Sequence, residues 1–267
     1  MSAAVLVVVG VLTGLTTVLF GFGGGFVTVP VIVWVDVAAG PAAATVAVAT
    51  SSLVMVAGAV AATAATPRPV LRRLRGAGPL PAMLGIGGLA GAFAASFAPA
   101  GLIHWGFVVY LAVTVVDVLA RPGFLRPNSD AGAAARHRTF AIPAALGMPI
   151  GAIASFLGVG GSVMTVPLLR RSGLPMGTAV ALANPLTACI SVPACVVFLS
   201  SHGADGEAGV PVVGSVDLGA AALLLLGVLP VVALLRRRPP RIADRLHAWG
   251  YVALLCLVLT AMVARAA

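Results

Sequence analysis

The residues most able to do chemistry in this chain are small and polar, and they belong to a glycine-rich motif that occurs twice. Residues 21–30 read GFGGGFVTVP and residues 158–167 read GVGGSVMTVP, so six of the ten positions are identical at an offset of 137. A soluble dinucleotide site needs a third glycine where Phe26 and Val163 stand, and a P-loop needs a Gly-Lys-Ser/Thr ending that both copies lack. The motif therefore indicates neither of these phosphate sites.

Within a membrane, a run of glycines followed by Thr-Val-Pro is expected to break a helix. Glycine permits tight turns, and proline lacks the N–H that would continue the helical ladder. Backbone N–H groups freed at the break, together with the positive end of the half-helix dipole, can face an anion near the midplane. This interpretation makes eight motif residues substrate-binding candidates: Gly23, Gly24, Gly25, Thr28, Gly160, Gly161, Ser162 and Thr165. The alternative is close packing of helices through small residues.

The composition is typical of an all-α, polytopic membrane protein. The chain is 60% hydrophobic and 9% charged with a mean hydropathy of +1.12, whereas a soluble domain carries about 25% charged residues. Two apolar arms, 22–35 and 159–169, are too short for a full crossing and are expected to be half-helices. Eight longer apolar segments are predicted to lie in the membrane: 3–20, 41–65, 77–98, 101–120, 139–157, 174–199, 214–235 and 246–264.

The arginines predict the orientation of the chain, because cytoplasmic loops of membrane proteins are enriched in Lys and Arg. Arginines cluster at residues 68–75, 121–138, 170–171 and 236–245. The loop at 200–213 has no arginine and carries Asp205 and Glu207, so we expect it outside. The net charge of +9 lies mainly in these short connectors. It is therefore interpreted as a topology signal, and no nucleic-acid partner is expected.

A second internal match extends the duplication to a whole unit. Residues 105–108 read WGFV and residues 249–252 read WGYV, in the same order relative to the glycine motif. Each half is predicted to contain a broken-helix hairpin followed by three crossings, and this odd number turns the second half upside down. We therefore predict two inverted membrane repeats, 1–120 and 139–267, joined by a cytoplasmic linker at 121–138, with both termini outside. Many secondary transporters are built in this way.

The paired Gly-rich-Thr-Val-Pro segments, each followed by an Ala-rich helix with small polar residues, resemble the TauE/SafE sulfite exporter family over nearly the whole chain. The resemblance implies a multi-pass protein of the bacterial inner (plasma) membrane that exports a small anion, such as sulfite, a sulfonate or a related organic anion. It also implies small hydroxyl residues early in the helix after each hairpin. Thr50 and Ser51 match that pattern, while the second half has Asn184 and Thr187 instead. The alternative for each is a bond to its own helix backbone.

Secondary transport of an anion is the function that these features favour, with a passive anion channel or, less favoured, an intramembrane enzyme as alternatives. The His-Glu-x-x-His zinc signature is absent from the sequence. Asp117 lies inside an apolar run but has Arg121 at i+4 as an ion-pair partner. We therefore expect no catalytic residues, metal or cofactor. The expected partners are the anion, membrane lipid and a coupling ion, because without a nucleotide site a gradient must drive transport.

Overall fold

The computed structural model describes residues 3–35, 43–125, 142–201, 212–237, 240 and 242–266. Most of the predicted linker at 121–138 lies outside these ranges, as do Asp205 and Glu207 of the predicted outer loop. The described chain is helical apart from a short antiparallel ladder, in which β1 (Val212–Val213) pairs with β2 (Val216–Asp217). The predicted helical class is confirmed.

The helices follow the order that the apolar segments predict. Extended prolines precede several of them: Pro99 and Pro175 stand at the N-caps of the helices that begin at Ala100 and Met176. The first half contains α1 (Ala3–Phe20), α2 (Gly25–Val35), α3 (Ala43–Ala64), α4 (Arg68–Leu71) with a 3-10 turn (Arg72–Ala77), α5 (Leu80–Ser96) and α6 (Ala100–Ala120). The second half contains a 3-10 turn (Ala144–Leu146), α7 (Gly147–Phe156), α8 (Ser162–Arg171), α9 (Met176–Ser200), α10 (Leu218–Arg237) and α11 (Asp244–Ala266).

Six helices of the described chain are long and apolar enough to cross a membrane, namely α1, α3, α6, α9, α10 and α11. The segment Arg68–Ala77 and α5 form a pair bent by 80°, which would be a seventh span if counted as one. Large apolar side chains remain exposed on the outer helices, for example Val116 at 64%, Leu226 at 65% and Leu257 at 63%. Such surfaces are unfavourable in water but are satisfied by lipid.

The two short arms are half-length helices, as predicted. The 11 residues of α2 and the 10 residues of α8 extend only about 15–16 Å at 1.5 Å per residue. The predicted segment 139–157 is longer than the helix observed there, because extended Pro143 precedes a single 3-10 turn and α7 begins only at Gly147. Residues 139–141 lie outside the described ranges.

Contacts between the halves are reciprocal. Helix α1 packs on α10, and α5 packs on α7, while α3 packs on α9 and α6 on α11. Glycines permit the first two approaches: a Cβ on Gly10 would overlap the carbonyl of Leu224 in α10, and a Cβ on Gly151 would overlap the carbonyl of Leu84 in α5. If α7 repeats α1 and α10 repeats α5, these are one contact made twice. At both contacts the glycines have a packing role.

Candidate functional site

Glycines with positive φ interrupt the helical path at both copies of the motif. In the first break, between α1 and α2, φ is 77° at Gly21, 64° at Gly23 and 112° at Gly24. In the second, between α7 and α8, it is 67° at Gly158 and 71° at Gly160. Residues with a side chain rarely adopt these angles, so the glycines are required for the chain to turn here.

The position of each break differs from the sequence expectation in one respect. The glycines and the proline of the motif are both expected to contribute to the break, but Pro30 and Pro167 lie inside α2 and α8. The breaks occur upstream, at the glycines. Pro167 still removes one helical hydrogen bond, because it has no N–H to donate to the carbonyl of Val163. The hydroxyl of Tyr251 on α11 donates to that carbonyl instead, at 3.0 Å.

The two breaks contact each other directly through backbone atoms. A Cβ on Gly25 would overlap the carbonyl oxygen of Gly158, and one on Gly160 would lie 3.4 Å from the carbonyl oxygen of Phe22. No helix separates them, because the absence of side chains lets the two backbones meet. The breaks therefore form one continuous region, and a solute bound there would touch backbone from both copies of the motif.

Two side chains from the long central helices border this region. Met55 of α3 places its sulfur 2.7 Å from the position of a Cβ on Gly25 and 3.1 Å from one on Gly160. Thr187 of α9 places its methyl carbon 2.7 Å from a Cβ on Gly23 and 3.2 Å from one on Gly160. Both helices therefore contact both breaks.

Aromatic rings hold one side of the region. Phe22 in the first break stacks on Phe26 with ring centroids 4.3 Å apart, and it lies 4.9 Å from the ring of Tyr251. Tyr251 also contacts Phe124 at 5.3 Å. Since Tyr251 bonds to the carbonyl of Val163 in α8, one side chain of α11 contacts both hairpins.

The hydroxyl groups of the first-half site candidates Thr28 and Ser51 are bonded to the chain. Thr28 Oγ1 donates to the carbonyl of Gly24 at 2.9 Å and lies 3.3 Å from Thr13 Oγ1. Ser51 Oγ donates to the carbonyl of Val48 at 2.8 Å. For Ser51 the predicted alternative, a bond to its own helix backbone, is formed, and the same hydroxyl also lies 3.4 Å from the carbonyl oxygen of Gly158 in the second break.

Five polar residues of α8 and α9 are buried, and each has a side-chain atom with no hydrogen-bond partner within the described ranges. These atoms are Ser162 Oγ, Thr165 Oγ1, Asn184 Oδ1, Thr187 Oγ1 and Ser191 Oγ. The amide nitrogen of Asn184 donates to the carbonyl of Val180 at 3.2 Å. These five buried residues are uncharged, and four of them are hydroxyl residues that can donate a hydrogen bond.

A family model described as sulfite exporter TauE/SafE matches residues 6–262 of the chain. The chain belongs to the TauE/SafE family. Comparison with curated proteins and with solved structures gave no match. The family match includes both glycine breaks and all the polar residues described above, and membership makes the protein a multi-pass membrane transporter.

The charged side chains of this TauE/SafE protein that form ion pairs lie at one end of the bundle. Arg170, at the end of α8, is the one fully buried charged side chain among the described residues, and it pairs with Asp244 and donates to the carbonyls of Phe124 and Leu174. Its charge is therefore compensated within the chain.

A second ionic cluster joins the end of α6 to the end of α8. Asp117 pairs with Arg121 at 3.1 Å, as the sequence predicted, and also with Arg171 at 2.7 Å. Because this carboxylate already binds two guanidinium groups, its role is to tie helix ends together. The arginine clusters at 121–138 and 170–171 therefore supply ion pairs at this end of the bundle, and the cluster at 236–245 includes their partner Asp244.

All twelve predicted site residues of the TauE/SafE chain are buried. The structure brings Gly23, Gly25, Gly160 and Thr187 together at the contact between the breaks. Thr50 lies elsewhere: its hydroxyl accepts a hydrogen bond from the backbone N–H of Asp217 in β2, at 3.0 Å. It therefore contacts the short ladder that precedes α10.

Sequence reasoning missed three residues of this region. Met55 and Tyr251 are apolar or aromatic residues in long apolar runs, and nothing in their local sequence separates them from ordinary core positions. Ser191 could have been found, because it lies seven residues after Asn184 and four after Thr187, so the three share one face of a helix.

Proposed function

We propose that this protein is a secondary transporter that exports a small anion, namely sulfite, a sulfonate or a related organic anion, across the bacterial inner membrane. The observation that carries the proposal is the backbone contact between two copies of one glycine motif, Gly25 against Gly158, in a chain of the TauE/SafE family. A duplicated break that served packing alone would not need both copies to meet.

The chemistry of the region suits an anion that must be bound and then released. Helix α2 begins at Gly25 and α8 begins at Ser162, so the positive ends of two half-helix dipoles adjoin the contact. Buried hydroxyls add hydrogen-bond donors. Arg170 is already paired with Asp244, and partial charges are expected to hold an anion less tightly than an unpaired guanidinium would.

The proposed mechanism is alternating access. The two halves, 1–120 and 139–267, are taken as inverted repeats, and the solute lies where their breaks meet. Rocking of one half against the other would expose this point first to the cytoplasm and then to the outside. The reciprocal packing of α1 on α10 and α5 on α7 supports equivalent halves that can exchange roles.

One further cation supports movement of an anion. Nε and Nη2 of Arg236, near the end of α10, are buried and have no hydrogen-bond partner within the described part of the chain. Arg236 also forms no ion pair with a described residue, so its positive charge would attract anions. Arg236 belongs to a cluster that the sequence interprets as cytoplasmic, so we propose that it attracts the solute toward the transporter before export.

Counterflow in proteoliposomes tests the transport proposal. Purified protein is reconstituted, and uptake of labelled solute is measured against a trapped excess of sulfite, sulfoacetate, taurine or sulfate. Saturable exchange of at least one of these anions is expected. Flux that rises linearly with concentration would favour the passive channel, and no flux through sealed vesicles containing folded protein would refute both functions.

Gly161→Leu tests the placement of the site. A Cβ at this position would overlap the terminal methyl of Ile190, which can move, so we expect insertion and folding to persist while the added side chain fills the space beside the second break. Counterflow should be lost. Gly177→Leu is the matched control, because Gly177 is exposed and a Cβ there has nothing within 4 Å. Wild-type exchange by Gly161→Leu would remove the break from the proposed pathway.

A further inference from the structure

The polar groups around the two breaks differ between the halves in a way that the duplicated motif does not suggest. Thr28 and Thr165 occupy the same motif position and are both fully buried. Thr28 Oγ1 donates to the carbonyl of Gly24 at 2.9 Å. Thr165 Oγ1 has no partner among the described residues. The two copies are therefore equivalent in sequence but not in their hydrogen bonding.

Thr165 is one of eight uncharged residues of the described chain that have a buried side-chain atom without a partner. Five of the eight lie on α8 and α9, and we call them the unpaired polar set: Ser162, Thr165, Asn184, Thr187 and Ser191. Ser162 and Thr165 are three residues apart on α8, and the other three follow the i, i+3, i+7 spacing on α9, so each group shares one helix face. Helix α8 packs on α9. The methyl carbon of Thr187 lies 3.2 Å from the position of a Cβ on Gly160, which places this residue beside the second break.

Buried polar atoms in native proteins nearly always have a hydrogen-bond partner, and each exception calls for an explanation. Five of the eight uncharged exceptions lie on the packed helices α8 and α9, whereas the other three, Thr63, Tyr110 and Ser155, lie singly on three other helices. Packing alone would be served better by Ala and Val, which fill similar space without polar atoms. A bound solute that supplies the missing partners explains why hydroxyl and amide groups stand there.

The amide of Asn184 specifies part of that solute. Its nitrogen donates to the carbonyl of Val180, and the opposite orientation would bring two acceptor oxygens together, so Oδ1 is the atom left without a partner. Oδ1 can only accept. An oxyanion that carries no proton offers it nothing, whereas an N–H, an O–H or a metal cation does.

Resting on the proposed transport function, we infer that the side chains that bind the solute where the two breaks meet come from the second half, and that they bind two kinds of group side by side. The hydroxyls of Ser162, Thr165 and Thr187 donate to an oxyanion. Asn184 Oδ1 accepts from a positively polarised group, either an ammonium or hydroxyl of the solute itself or a sodium ion that enters with it. The first-half hydroxyls support the fold of the hairpin.

A matched pair of variants tests the one-sided site. Thr165→Val removes a donor to a charged solute, so we expect KM for counterflow to rise roughly tenfold or more. Its melting temperature in detergent should stay the same or rise, because an apolar group replaces an unpaired buried hydroxyl. Thr28→Val should do the reverse: it loses the bond to Gly24, so the melting temperature falls while KM changes far less.

Ser52→Ala is the neutral control for transport, because Ser52 Oγ is buried and already bonded to the carbonyl of Val48 at 2.9 Å. Equal rises of KM in Thr165→Val and Thr28→Val would overturn the one-sided site. So would a fall in melting temperature for Thr165→Val as large as that for Thr28→Val. Wild-type protein that transports no anion would instead refute the proposed function itself.

Exchange of the medium identifies the group at Asn184. KM for sulfite is measured in sodium and in choline media, and KM for taurine is compared with KM for sulfoacetate. A sodium ion predicts a lower KM for sulfite in sodium than in choline. A donor on the solute predicts a lower KM for taurine than for sulfoacetate in both media. Asn184→Leu should abolish whichever difference is seen, and the absence of both differences in wild type would overturn the assignment of Asn184.

Discussion

Replacing Gly25 by Ala tests the contact on which the site depends. The added Cβ would overlap the carbonyl oxygen of Gly158 and lie 2.7 Å from the sulfur of Met55. The sulfur is on a flexible side chain, but the carbonyl is backbone inside the second break and cannot rotate away. Overpacking of this kind destabilises a protein by about 1–3 kcal/mol, and we expect the upper end because backbone must move.

Helix propensity alone would make Gly25→Ala stabilising, so a loss of stability would have to come from the backbone contact. Gly25 is the first residue of α2 and its φ is not positive, so Ala is otherwise acceptable there. The control is Gly101→Ala in α6, where a Cβ has nothing within 4 Å. That change should be neutral or stabilise by up to about 1 kcal/mol. For Gly25→Ala, a loss of about 3 kcal/mol corresponds to a fall in melting temperature of roughly 6–12 °C on the scaling for domains of 150–250 residues.

The assay is thermal unfolding of both variants in the same detergent, followed by counterflow at a temperature where each is folded. Met55→Ala added to Gly25→Ala should not restore stability, because it removes the sulfur and leaves the carbonyl. Wild-type melting temperature and transport in Gly25→Ala would show that the two breaks do not meet through backbone, and the shared site would have to be abandoned.

Two further predictions concern the ties around the site. Arg171→Gln should lower the free energy of unfolding by about 1 kcal/mol, because Arg171 is partly buried against Asp117. Arg121→Gln should lower it by only about 0.3 kcal/mol, because the side chain of Arg121 is 73% exposed. Equal effects of the two variants in thermal unfolding would contradict this ranking. Tyr251→Phe should lower the free energy of unfolding by about 1–3 kcal/mol, because the carbonyl of Val163 then loses the donor that replaces the missing N–H of Pro167. Unchanged stability in detergent would show that this hydrogen bond is not formed.

The fold could be predicted as far as local sequence controls it. Apolar runs of about 20 residues give spanning helices because lipid leaves backbone groups no other partner, and the positions of α3, α6, α9 and α11 follow. The short α7 was not predicted, because an apolar run extends across Pro143 and composition alone does not register that proline as a helix boundary. The motif proline also interrupts its helix less than the sequence suggests. A donor distant in the chain can replace the missing N–H, and in α8 the hydroxyl of Tyr251 is that donor.

By itself, the sequence determined that this is a helical membrane protein, that its glycine motif is duplicated and that small polar residues accompany both copies. These properties depend on composition and on spacing along one segment. Only the tertiary structure decided that Gly25 meets Gly158, that Arg171 adds a second partner to Asp117, and that Thr28 is paired while Thr165 is not. The motifs of Thr28 and Thr165 are nearly the same, and each has a carbonyl four residues earlier. Whether the hydroxyl bonds to that carbonyl depends on its orientation, which packing from outside the motif controls; Thr13 of α1, for example, lies 3.3 Å from Thr28 Oγ1.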